Sequence, residues 1–115
     1  ELGAERIGHG VRAAEDASLM ELLAQRGVTL ETALTSNVQT SASPSLAEHQ
    51  IHTLLAAGVR VTLNTDNPTT SHTTLSCEYT RGASEAALSH QTLNLLACNA
   101  AQASFTEAGR KLAVL

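Results

Sequence analysis

Two short stretches of this sequence carry residue types suited to acid–base and metal chemistry. His9 stands between Gly8 and Gly10, and Asp66 is followed by Asn67 and Pro68. A carboxylate is a hard ligand for a divalent metal, and an imidazole holds or moves a proton near neutral pH. Glycines on both sides of a histidine let the backbone approach a ligand and let the ring project from a strand's end. Each stretch also has a plainer reading. Asp, Asn and Pro are turn formers, so by itself Asp66 reads more readily as a turn or cap, while His9 equally suits a local turn bond.

A protein-held metal usually takes about three or four ligands, and beyond Asp66 the sequence offers no obvious set. His49 and His52 are three apart on an expected helix. Both project away from its apolar stripe of Ala47, Ile51, Leu54 and Leu55, so they are expected to face solvent rather than hold zinc. His72 and His90 fall in polar loop or cap contexts without a pattern. Thr35-Ser36-Asn37 reads as a hydroxyl-rich turn, with a phosphate or sugar site as the rarer meaning.

The elements that must position these residues alternate between strand and helix. Glu5 to His9 is a short strand ending in a turn, followed by polar loop residues up to Asp16. Asp16 caps a helix over about residues 16–26, with Leu19, Met20, Leu22 and Leu23 on one side and Gly27 as its stop. Val28 to Leu34 is a second strand, followed by a polar loop over Thr35–Thr40. Ser43-Pro44-Ser45 introduces a helix closed by Gly58. Val59 to Asp66 is the third strand; its period places Val59, Val61 and Leu63 on one side and Arg60, Thr62, Asn64 and Asp66 on the other. A Thr- and Ser-rich loop then leads to a helix near Thr74–Ala87. Ser89 caps another, faced by Leu93, Leu96, Ala97 and Ala100, and a short helix from Glu107 to Val114 follows.

Strands alternating with helices imply parallel βαβ units, and such sheets need both faces covered. Three strands leave two open edges. A closed (β/α)8 barrel has eight such units in ~250 residues, with catalysis at the carboxyl ends of its strands. The 115 residues supply about three units, and His9 and Asp66 both sit at such strand ends.

Composition narrows the class. The chain is 43% hydrophobic and 16% charged, which is globular, and its single Tyr, single Phe and lack of Trp leave packing to Ala and Leu. A net charge of −4 without a Lys/Arg cluster argues against nucleic-acid binding. No apolar run approaches the ~20 residues needed to span a bilayer. With no leader pattern, and with Cys77 and Cys98 far apart and expected as two buried thiols, a reducing cytoplasmic location is expected.

Four segments resemble a known family. Arg6-Ile7-Gly8-His9-Gly10-Val11-Arg12 is similar to the Arg-Ile/Leu-Gly-His-Gly segment of adenosine deaminases. Leu34-Thr35-Ser36-Asn37-Val38-Gln39-Thr40 resembles their Thr-Ser-Asn-x-Gln-Thr segment, and Leu63-Asn64-Thr65-Asp66-Asn67-Pro68 their Asn-Thr-Asp-Asp-Pro. Asn99-Ala100-Ala101 with Ser104-Phe105 resembles their closing helix. The order and spacing match across essentially the whole chain, and the bacterial, metal-dependent members are the nearest in pattern.

The resemblance implies a zinc hydrolase of the (β/α)8 class that converts adenosine or deoxyadenosine to inosine or deoxyinosine with release of ammonia. Residues 1–115 would be the C-terminal part of that single barrel domain, its last three βα units with extra C-terminal helices. Asp66 would be a zinc ligand that also aims the hydrolytic water, and His9 would steady that water and the charge of the tetrahedral adduct. Asn67 stands where the family usually has a second aspartate facing purine N7. N7 is an acceptor, so its partner must donate, which an asparagine amide does at any pH. The paired zinc histidines, a third zinc histidine and the glutamate that protonates purine N1 would all lie upstream. The chain alone is therefore expected to be inactive without the N-terminal part of the barrel. The alternatives are a deaminase of another 6-aminopurine, such as adenine or a modified nucleoside, and a non-catalytic remnant acting as an assembly module.

Overall fold

The structure, a computed structural model, describes residues 3–113. Three parallel strands, β1 (Arg6–Gly8), β2 (Thr29–Thr32) and β3 (Arg60–Leu63), form one sheet in the order β1-β2-β3. Leu30 of β2 lies in register with Ile7 of β1 and with Val61 of β3. Because all three run the same way, their carboxyl ends open onto one edge of the molecule. The fold is α/β with a parallel sheet.

The first helix, α1 (Ala17–Arg26), begins where expected. The Asp16 carboxylate accepts from the Ser18 and Leu19 N–H groups, and Gly27 ends the helix at φ 63°. Only Met20 and Leu23 of its apolar side are buried; Leu19 and Leu22 remain about 40% exposed. A 3-10 turn over Val11–Glu15 leads from β1 into α1, burying Val11 and Ala13 where a polar loop is expected. Gly10 enters this turn at φ 66°, and a Cβ there would stand 2.8 Å from Leu30 Cδ2.

The middle of the chain departs from its sequence reading. The second strand ends at Thr32, and Leu34–Gln39 forms a helix, α2, rather than the end of a strand and a polar loop. Leu34 is fully buried, and the Asn37 N–H bonds back to the Ala33 carbonyl at 2.8 Å. The apolar run from Val28 reads as one strand because both its strand and its first helical turn are buried. The next helix, α3 (Ile51–Ala56), starts late, and residues 46–50 lie outside it. That shifts the phase of the preceding positions: Ala47 is exposed, while His49 is 2% exposed and belongs to the interior.

After β3, Pro68–Ser71 forms one helical turn, α4, in place of an expected loop. The longer α5 (Leu75–Ser84) follows with Thr74 as its cap, then α6 (His90–Ala103), capped by the Ser89 hydroxyl, and α7 (Ala108–Leu112). The expected last helix runs on to Val114, which lies outside the described residues. On α6 the buried positions are Leu93, Leu96 and Asn99, while Ala97 and Ala100 face out. Asn99 sets this phase by donating Nδ2–H to the Val61 carbonyl at 2.9 Å, which pins α6 to β3. The core joins Leu30, Val61 and Leu63 of the sheet to Met20, Leu23, Ile51, Leu54, Leu93 and Leu96 of the helices. Cys77 and Cys98 are free, as expected, but exposed rather than buried, because each lies on the outer side of its helix. Among the described residues no helix is long and apolar enough to cross a membrane.

Candidate functional site at the carboxyl edge of the sheet

Each strand hands its chain to this edge through a different local device. β1 ends at Gly8, and His9 turns the backbone with φ 57° while its N–H still bonds the Glu31 carbonyl at 3.0 Å. β2 ends at Thr32, and Ala33 is the extended residue from which α2 starts. β3 ends at Leu63, and Asp66 takes φ 57° just before α4. A left-handed φ is uncommon outside glycine, although Asn, Asp and His are enriched there. Both His9 and Asp66 adopt it, and both project into the same space. The alternation of β3 stops three residues short of Asp66, so its side chain is aimed by that turn and not by strand parity.

His9 Nε2 lies 3.8 Å from Asp66 Oδ2, and both side chains are a little over 40% exposed. The Ser36 hydroxyl, buried at 3% exposure, donates to Asp66 Oδ2 at 2.7 Å. Asn37, 1% exposed, bonds His9 Nδ1 through its Nδ2 at 3.0 Å. Two consecutive residues in the first turn of α2 therefore hold the carboxylate and the imidazole, one each. The sequence reads Thr35-Ser36-Asn37 as a hydroxyl-rich turn, with a phosphate or sugar site as the rarer meaning, and does not link Ser36 to Asp66 or Asn37 to His9. The available signal was the run of short hydrogen-bonding residues directly after a buried strand.

Asn67 caps α4. Its Oδ1 accepts from the Thr70 N–H at 3.0 Å, which orients the amide and leaves Nδ2 as the donor of the side chain. Beneath the rim a second polar layer is internally satisfied. Thr32 Oγ1 donates to the Thr62 carbonyl at 2.8 Å, and Asn64 Nδ2 donates to the Thr32 carbonyl and to Thr62 Oγ1.

Behind the rim, α2 is anchored by a buried carboxylate. Glu78 accepts from the Thr35 N–H at 3.1 Å, from the Thr35 hydroxyl and from the Thr73 hydroxyl at 2.8 Å. Arg81 Nη1 donates to Thr35 Oγ1 at 3.0 Å. A buried carboxylate with several donors is satisfied, and here it fixes where α2 begins. At the opposite end of the strands, Arg6 pairs with Glu31 at 3.0 Å and its guanidinium stacks 3.8 Å above the Phe105 ring. That contact joins the first and last of the four recognisable segments.

As a metal centre the rim is partial. Among the described residues no three His, Cys, Asp or Glu side chains converge on one point. What is present fits one arm of such a centre: a carboxylate with one oxygen engaged by Ser36, the other available, and an imidazole beside it. His49 and His52 are not part of it. His49 Nε2 bonds Asn37 Oδ1 at 3.2 Å, and His52 Nε2 bonds the Ala86 carbonyl at 2.7 Å.

Known proteins resemble this chain along its whole length. The sequence model of one family, described as adenosine deaminase, matches residues 1–115. A curated adenosine deaminase of Erwinia tasmaniensis is 45% identical over 114 residues, which is 99% of this chain and 34% of that protein. The chain thus spans about a third of the length of the curated relatives it matches. Among solved structures, the adenine deaminase of Arthrobacter aurescens superposes with a TM-score of 0.92 at 31% identity, over 96% of this chain and 34% of that one. An amidohydrolase of Burkholderia ambifaria with bound zinc superposes at 0.85 over 95% of this chain and 31% of that one; at 20% identity it shares the fold alone.

Proposed function

This chain belongs to the adenosine deaminase family, and we propose that it forms the last three βα units, with their trailing helices, of a (β/α)8 zinc deaminase. The reaction is hydrolysis of the 6-amino group of adenosine or deoxyadenosine, giving the inosine product and ammonia. The observation that carries this reading is the convergence of His9, Asp66 and Ser36 at the carboxyl edge of the sheet. That edge is where barrels of this class build their chemistry. The outer edges of β1 and β3 pair with the strands that precede them in the full barrel, which removes two exposed edges. The remaining zinc ligands come from that part, so this chain by itself is inactive.

Asp66 is the residue of this chain that would hold zinc. When bound, the metal supplies Lewis acidity that makes water a nucleophile near neutral pH. The Ser36 hydroxyl fixes one carboxylate oxygen of Asp66 and so sets the direction of the other. His9 presents its Nε2 to the same space, where it orients the attacking water and balances charge building on the adduct. Asn67, with its Oδ1 committed to Thr70, donates Nδ2–H to purine N7 and places the ring so that C6 faces the water. The left-handed turns at His9 and Asp66 aim both groups inward.

The test uses the full-length, zinc-loaded protein that contains this chain. Loss of adenosine absorbance on incubation supports the reading, and a well-folded, zinc-loaded protein that turns over no adenosine overturns it. Asp66→Ala is expected to lose zinc or activity, and full activity in that variant removes the central claim. His9→Ala is expected to keep zinc and to lose at least about 10²-fold in rate, the usual scale for a positioned acid–base group. Adenine is the second candidate substrate, favoured by the superposition on an adenine deaminase. Parallel assays with adenosine and adenine separate the two.

A further inference from the structure

A chain of four side chains, His49, Asn37, His9 and Asp66, runs from the protein interior to the rim. The Ile51 N–H donates to His49 Nδ1 at 3.0 Å. His49 Nε2 meets Asn37 Oδ1 at 3.2 Å, and the Ala33 N–H donates to the same Oδ1 at 3.3 Å. Asn37 Nδ2 meets His9 Nδ1 at 3.0 Å. His9 Nε2 then faces Asp66 Oδ2 at 3.8 Å.

The two backbone N–H groups remove the ambiguity that histidine tautomers and amide flips otherwise leave. A peptide N–H only donates. Ile51 therefore requires His49 Nδ1 to be an acceptor, and neutral His49 carries its proton on Nε2. Ala33 requires the oxygen of the Asn37 amide to face inward, where the His49 Nε2–H also donates to it. The amide nitrogen must then face His9 and donate to Nδ1. Neutral His9 is left with its proton on Nε2, the nitrogen that faces Asp66. Burial supports the polarity: Asn37 and His49 are 1% and 2% exposed, so water does not compete for either.

We infer that His49 and Asn37 are positioning residues that fix the tautomer and ring plane of His9, so that His9 presents a proton donor, not a lone pair, to the reacting groups beside Asp66. This rests on the deaminase reading for its catalytic consequence but not for the polarity itself. His49 and Asn37 act through His9, since His49 bonds Asn37 and Asn37 bonds His9. The arrangement also gives His9 a reason not to act as a metal ligand, because a nitrogen that carries a proton cannot coordinate.

The experiment is nitrogen-15 NMR of histidine-labelled, zinc-loaded full-length protein at a pH where the imidazoles are neutral. Protonated and unprotonated ring nitrogens differ strongly in shift, so each tautomer is read directly. Both His9 and His49 are expected to show a protonated Nε2 and a bare Nδ1; a protonated Nδ1 on either ring overturns the proposal. Asn37→Asp replaces the donor that faces His9 with an acceptor. It is expected to move the His9 proton to Nδ1 and to lower kcat roughly 10- to 100-fold, with KM changed far less. His49→Gln keeps a donor for Asn37 and is expected to recover most of the activity that His49→Leu loses. Equal rates in those two variants, or an unchanged His9 tautomer in a folded Asn37→Asp protein, also overturn it. If a variant fails to fold, the wild-type spectrum still decides. If the wild-type protein does not deaminate adenosine while the tautomers are as expected, the deaminase reading fails and the relay stands.

Discussion

His9 and Asp66 leave strands that are not neighbours, yet His9 Nε2 stands 3.8 Å from Asp66 Oδ2. The strand between them supplies the means. From its end, Ser36 reaches Asp66 and Asn37 reaches His9. The start of α2 is thus the clamp that holds the rim together, and Glu78 is what holds the clamp.

Ser36→Ala removes the hydroxyl that orients Asp66 while leaving α2 its helix-compatible backbone. In the full-length protein, zinc affinity or turnover is expected to fall roughly 10- to 100-fold. Competition with a chromogenic chelator and steady-state assays measure the two quantities. Wild-type values for both would show that the contact does not orient the carboxylate.

Asn67 caps α4 and, on the proposed reading, also donates to purine N7. Asn67→Asp keeps an oxygen that caps α4, and deamination is expected to persist. Asn67→Leu loses the cap and the proposed N7 donor, and purine affinity is expected to weaken by roughly 1–3 kcal/mol. Isothermal titration with a non-hydrolysed purine nucleoside measures the difference, and equal affinities for Asn67→Leu and wild type would rule out the N7 contact.

Acid stability should report on His49. Burial, the charge of His52 and, in the opposite direction, that of Glu78 set its pKa, lowered from 6.5 to about 4. Because the folded value lies below the unfolded one, the unfolded chain binds more protons in that window. The stabilisation is fully present above pH 6.5 and is lost as pH falls toward 4, by about 3 kcal/mol at that pH. Denaturant titrations between pH 7 and pH 4 should show this slope in wild type and lose it in His49→Gln. An identical slope in both proteins would assign the acid sensitivity elsewhere.

Gly10→Ala combines a left-handed backbone with a Cβ 2.8 Å from Leu30 Cδ2. The backbone cost is roughly 1–2 kcal/mol, and crowding against a buried Leu adds to it. Thermal unfolding should show a lowered midpoint. A midpoint equal to wild type would mean that the turn and Leu30 relax together without cost.

Glu78→Ala leaves the Thr35 N–H and the Thr35 and Thr73 hydroxyls without their shared acceptor. A loss of roughly 2–4 kcal/mol is expected, with Glu78→Gln milder because one acceptor oxygen remains. Hydrogen exchange at the α2 amides should speed up in Glu78→Ala, and unchanged protection would show that α2 is held by packing alone.

Much of the architecture was legible because it is written locally. Asp16, Thr74 and Ser89 cap their helices with short side-chain oxygens, and Gly27 stops α1 with a left-handed turn. The alternation of strands and helices set the parallel sheet, and the four motif segments carried the family. Where the reading failed, local signals were silent or double. The run from Val28 to Leu34 is apolar on both sides of a strand-to-helix change, so periodicity could not place the boundary. His49 reads as solvent-facing only if α3 begins early, and a start at Ile51 turns it inward.

The sequence by itself determined the alternation of strands with the longer helices, their order and the placing of His9, Asp66 and Asn67 just past strand ends, since these follow from propensity, capping and period. It did not determine the short helices α2 and α4, which replace expected loops. Tertiary structure decided which groups meet. Parallel register brings the ends of β1, β2 and β3 to one edge, and the left-handed turns at His9 and Asp66 rotate both side chains into it. The Ser36–Asp66 bond and the relay from His49 through Asn37 to His9 join residues on different elements. No local pattern encodes such contacts, because they exist only once the core has fixed the distance between those elements.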